Sequence, residues 1–220
     1  MSGSNVAPRG DGVFVDLYWL PLGAGGHVVR WSGLLYEAVV ARRERRGRRP
    51  LFHAALRVGT GSDSVAIEQA PAWGIGSGTD VVAGGPVGSR RLGRLRFFRY
   101  EVRCRRDGVI PDVADAAAPP QRLSDDPGVA RRVLALAAEA PTPVWGRDEL
   151  GVGEMWTSNA LVAWVLVRAG IPVEAVDPAG GRAPGWAAGV SAARRDGPRA
   201  APPTGRSGRA RRGSRAGASA

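Results

Sequence analysis

The run ALVAWVLV, residues 160–167, constrains this chain more than any other stretch. Its apolar residues, among them Leu161, Val162, Trp164, Val165 and Leu166, cover nearly every side of a helix, so the rest of the chain must enclose it. At eight residues the apolar run is short of the ~20 that span a bilayer, which makes protein the expected surroundings. Thr157, Ser158 and Asn159 precede the run and Gly170 ends it, residue types that suit a helix N-cap and the position just past a helix end. The pattern predicts a helix over 158–169, buried against a sheet. Its polar start admits two roles. A Ser or Thr there caps the helix; alternatively, the partial positive charge and free N–H groups of a helix start are where enzymes poise a nucleophile.

The preceding residues supply strands for that sheet. VFVDLYWLPL (13–22) is β-branched and aromatic and stops at Pro21 and the glycines 23, 25 and 26, and HVVRW (27–31) reads as a second short strand. After Ser32 and Gly33, LLYEAVVARRERR has helical spacing and a positive end, which predicts a helix over 34–46 with a solvated arginine run at 42–49. PLFHAALRV (50–58) and SVAIEQA (64–70) flank the loop GTGSD and should pair as a hairpin. RLRFFRYEVR (94–103) is strand-forming, residues 107–123 form a surface loop, and SDDPGVARRVLALAAEAP predicts an amphipathic helix over 125–140. PTPVWGRDEL (141–150) reads either as a structured turn with a salt bridge or as a substrate-contacting rim around Trp145. The expected fold class is α+β, an antiparallel sheet with helices packed on it. It occupies one domain over 12–190, after a flexible 1–11 and before a disordered basic tail, 191–220.

The net charge of +11 invites a nucleic-acid reading, but eight arginines and one aspartate in 191–220 account for +7 of it. All 31 basic residues are arginine, a skew that a GC-rich gene explains more simply than thirty-one chosen guanidinium contacts do. Any nucleic-acid or acidic partner is therefore expected at the tail, weakly and with steep salt dependence. The single cysteine, Cys104, excludes an internal disulfide; in a strand-like, arginine-rich run it is expected to be inert. His27 and His53 lack zinc-ligand spacing. WGIGSGTD (73–80) fits neither a phosphate loop nor a dinucleotide turn, so it reads as a flexible loop and no cofactor or metal is expected. The start, MSGSNVAPRGDG, has no secretory pattern, which points to a cytoplasmic protein without membrane insertion.

The hairpin carries the chemistry. Setting Val58 opposite Val65 puts Phe52, Leu56, Val58, Val65 and Ile67 on a core face and His53, Ala55, Arg57, Ala66 and Glu68 on the other. Glu68 then stands diagonal to His53, within reach of a hydrogen bond that would orient the imidazole as a general base. The order of a His strand, an Ile-Glu strand and a later helix entered through a polar triplet resembles the circularly permuted papain-like superfamily, which includes NlpC-like cell-wall hydrolases and lecithin:retinol acyltransferase relatives. The family's Asn-Cys-Asn-Ser-Phe-Val-Ala-x-x-Leu pattern, laid on TSNALVAWVL, places its nucleophilic Cys on Ser158. Stretches such as LYWLPLGAGG also resemble actinobacterial-type proteins, a likeness that implies no activity. The resemblance implies a catalytic set of His53, Glu68 and Ser158, with Trp156, Thr157 and Asn159 against a small-molecule or peptide ligand. Serine in place of the cysteine implies a weak hydrolase or acyltransferase, or a catalytically degenerate descendant that only binds. The alternative is a non-enzymatic interaction module acting through the arginine tail.

Overall fold

Among the described residues a strand and a helix come first, five strands follow and three helices close the order. The computed structural model describes residues 12–22, 27–73, 78–106, 108–176, 178 and 180–197, and the backbone alone for 27–32. The strands are β1 (Gly12–Pro21), β2 (Phe52–Gly61), β3 (Ser64–Pro71), β4 (Val81–Pro86), β5 (Arg99–Arg105) and β6 (Gln121–Ser124). They form one sheet in the order β4-β5-β3-β2-β1-β6, antiparallel throughout. The helices are α1 (His27–Arg43), α2 (Pro127–Glu139), α3 (Ser158–Ala169) and α4 (Trp186–Arg195). The fold is α+β.

Strand alternation divides the apolar residues between the two faces of the sheet. Val15, Leu17 and Trp19 of β1, Phe52, Ala54, Leu56 and Val58 of β2, Ile67 of β3 and Tyr100 and Val102 of β5 form one core with α2, α3 and α4. On the other face Tyr18, Leu20, Ala55 and Ala66 pack against Ile110. The predicted register holds, with Val58 opposite Val65. Helix α3 runs from Ser158 to Ala169, and Gly170 adopts the left-handed conformation past its end. Asp126 caps α2 by accepting the Val129 N–H at 2.7 Å, with Pro127 opening the helix.

The structure overturns several expectations. Residues 27–31 are helix, because α1 begins at His27. The Ser32-Gly33 pair that looked like a turn lies inside it, and a Cβ on Gly33 would stand 2.5 Å from Leu22, so close packing, not chain reversal, places the glycine. The strand expected at 94–103 starts only at Arg99, after two short 3-10 turns, Leu92–Arg94 and Arg96–Phe98. Within the predicted loop 107–123, Ile110 is buried and β6 pairs with β1. The tail boundary at 191 falls inside α4, whose Ala188, Gly189, Ala192 and Ala193 are buried. Small residues pass for tail composition in sequence, yet they allow two helices to approach closely. The expectations for 1–11, for the rest of the tail from 198 and for residues 74–77 lie outside the described residues.

Candidate functional site

The first turn of α3 is built by its two outer polar residues. Thr157 is the N-cap, with its hydroxyl accepting the Asn159 N–H at 3.1 Å and donating to the Pro184 carbonyl at 2.7 Å. Asn159 accepts the Ala54 N–H at 2.7 Å through Oδ1, and its Nδ2 donates to the carbonyls of Phe52 (3.0 Å) and Pro184 (2.9 Å). Those strand groups need a partner because the β2–β3 ladder ends at Leu56 opposite Ile67. Past that point the two strands part. The Asn159 carboxamide and the backbone of Arg182, whose carbonyl accepts the Phe52 N–H at 2.8 Å, take the place of β3. Asn159 and Thr157, expected against a ligand, hold α3 on the sheet through these bonds and also line the cavity that Ser158 faces.

Ser158 stands between them with a different task. It is buried, it is not the cap, and its hydroxyl has no hydrogen bond among the described residues. It lines a cavity of about 480 Å³ at the end of the sheet. The other walls are largely apolar: Tyr36 of α1, Trp73 after β3, Phe97 and Phe98 before β5, and Trp145 and Met155. Arg99 also lines it. The aromatic wall went unread in the sequence because, apart from the adjacent Phe97 and Phe98, its members lie 24 to 109 residues apart and only topology unites them. The turn 141–150 is braced from outside by a salt bridge from Arg90 to its Glu149, and its Asp148 accepts the N–H groups of Val152 and Gly153, each at 2.8 Å. That frame presents Trp145 to the cavity.

The structure places His53 elsewhere. Its β2 neighbours Phe52 and Ala54 face α3, so alternation turns His53 to the opposite face, with its cross-strand partner Leu20. It is not among the residues lining the Ser158 cavity. Burial pushes its imidazole down to about 4, the reverse of what an adjacent carboxylate would do. Glu68 shares that face but lies 3.9 Å from both Arg103 and Arg105, and Arg103 also pairs with Glu101 at 3.0 Å. The expected His53–Glu68 hydrogen bond is replaced by this arginine network, because β2 and β3 separate before residue 53 and β5 supplies the arginines on the other side. Trp156 is buried in the helix-side core and does not line the cavity.

Cys104 is half-buried and burial raises its thiol to about 11, which suits an inert residue. The side chain of His27 lies outside the described residues. Among those described, no group of three or more His, Cys, Asp or Glu side chains is arranged to hold a metal, and no helix is long and apolar enough to cross a membrane. Compared with known proteins, the chain has no significant match to a family model, a curated protein or a solved structure.

Proposed function

We propose that this domain binds an apolar small molecule carrying a carbonyl or carboxylate group in the cavity at the start of α3, and that it binds without turning its ligand over. The aromatic walls favour an acyl chain or ring, while the Ser158 hydroxyl, the first-turn N–H groups of α3 and Arg99 favour an oxygen-bearing end. The observation that carries the reading is that Ser158 reaches the cavity and His53 does not. A serine hydroxyl without a base is a weak nucleophile, although it remains a good hydrogen-bond donor. The likeness to the permuted papain-like superfamily supports descent from a hydrolase layout, since the His strand, the Glu strand and the polar helix start occur in that order. Serine at the cysteine position and a histidine on the other face support the loss of its chemistry.

The test titrates tryptophan emission, to which Trp73 and Trp145 of the cavity contribute, with lauric acid and p-nitrophenyl laurate. Saturable binding of both, without p-nitrophenol release above background, is the expected result. Absence of binding refutes the reading. Ester turnover that disappears in both Ser158→Ala and His53→Ala refutes it in favour of a working hydrolase.

A further inference from the structure

The segment 90–99 combines two properties that a surface loop seldom shows together. Leu92, Leu95 and Phe97 are 42%, 58% and 58% exposed, and Phe97 stacks on Trp73, itself 43% exposed, with ring centroids 5.4 Å apart. Between them stand Arg90, Arg91, Arg94, Arg96 and Arg99, all exposed. Some of the arginines serve the loop itself: Arg96 donates to the Ala72 carbonyl at 3.1 Å, Arg99 to that of Gly93 at 3.1 Å, and Arg90 pairs with Glu149. Arg91 and Arg94 are left with the leucines at the surface. Across the cavity, the α1 wall that contributes Tyr36 carries exposed Leu34 and Leu35 as well. Large apolar side chains held in water are costly, and a cluster of them marks a contact surface.

The chemistry of the cluster selects its partner. Guanidinium groups complement phosphate, which a nucleic acid and an anionic bilayer both offer. Leucine side chains gain nothing from a sugar-phosphate backbone, whereas a bilayer interface accepts Leu and Phe below the headgroups and Arg among them. We infer that the 90–99 loop, with Trp73, docks the protein on an anionic lipid surface. Phe97 and Trp73 also line the cavity, so docking sets the cavity mouth against the bilayer. The inference does not depend on whether Ser158 binds or cleaves anything.

Co-sedimentation of the full chain with phosphatidylcholine vesicles, with and without phosphatidylglycerol, tests it, with circular dichroism to verify that each variant is folded. The wild type is expected on the anionic vesicles only. Leu95→Ser combined with Phe97→Ser should lower partitioning by about tenfold or more. Arg91→Gln combined with Arg94→Gln should lower it by roughly fivefold for each charge removed. Wild-type partitioning by both double variants would assign the binding to the basic C-terminal residues and overturn the inference. So would a wild type that ignores anionic vesicles, including one that instead shows loop-dependent affinity for a single-stranded oligonucleotide.

Discussion

Replacing Gly189 with alanine sets two opposing forces against each other. Gly189 lies inside α4, where glycine is worse than alanine by about 1 kcal/mol, so helix propensity alone makes the substitution stabilising. A Cβ at that position, however, would stand 2.0 Å from the Ala160 carbonyl oxygen and 2.8 Å from the carbonyl carbon and Cα of the same residue. Ordinary C···O approach is about 3.3 Å, so α4 would have to retreat by about 1.3 Å. Ala160 cannot yield, because it is buried backbone in α3 beside the Asn159 clamp. A gap of that size loosens Ala188, Ala192 and Ala193 as well, which places the overpacking cost near the upper end of the usual range, about 3 kcal/mol. The expected net effect is a loss of about 2 kcal/mol, read as a lower urea midpoint at unchanged slope. Ala187→Gly, on the exposed side of the same helix, serves as the control and should lose only about 1 kcal/mol. A Gly189→Ala protein as stable as the wild type or more so would show that the α3–α4 contact does not depend on the missing side chain.

Three further outcomes follow from the site. Thr157→Ala should cost about 1 to 2 kcal/mol in chemical denaturation, through loss of the cap and of the Pro184 bond, while Ser158→Ala should change stability by less than about 0.5 kcal/mol; equal losses would contradict the assignment of the cap. Asn159→Leu should cost about 3 to 5 kcal/mol, since it strands the Ala54 N–H and the Phe52 carbonyl and leaves the Pro184 carbonyl to the Thr157 hydroxyl alone, and a loss under about 1 kcal/mol would show that the clamp is dispensable. His53 titrates near 4 when folded and near 6.5 when unfolded, so between those values the unfolded chain takes up a proton that the folded one refuses. Stability should therefore fall by up to about 3 kcal/mol as pH drops from 6.5 to 4, and His53→Gln should flatten that slope; an unchanged slope would place the pH dependence on other groups.

What the sequence disclosed was whatever local pattern determines. The all-apolar helix 158–169, the capped amphipathic helix behind Asp126 and the hairpin register all rest on periodicity and turn chemistry, and the structure reproduces them. Elements stabilised by distant neighbours were not legible. Strand β4, VVAGGP, is too short and glycine-rich to be assigned until β5 is beside it, and α4 reads as tail from 191 because its buried face is alanine and glycine. At the site, pattern put Ser158 at the start of α3, where it lines the cavity, and expected His53 beside it, whereas alternation turns His53 to the other face of the sheet. Register places a residue on one face of a strand, yet it does not reveal that β2 and β3 separate after Leu56 and Ile67, nor that Glu68 has arginines to answer to.

The Asn159 clamp also bears on the order in which the molecule can assemble. It ties Ala54 to a side chain 105 residues later in the chain, and the same carboxamide needs Pro184. A β-hairpin forms in about 1 to 10 μs, but closing a loop of this length carries a large entropic cost before any contact rewards it. While the chain is being synthesised, the β2–β3 hairpin is complete long before residue 159 emerges. Until then the Ala54 N–H and Phe52 carbonyl are open to water and to any other passing strand. A slow folding phase that vanishes when the clamp is removed, and a nascent chain that aggregates when arrested between residues 71 and 159, would be the kinetic trace of one amide serving as the missing piece of a strand.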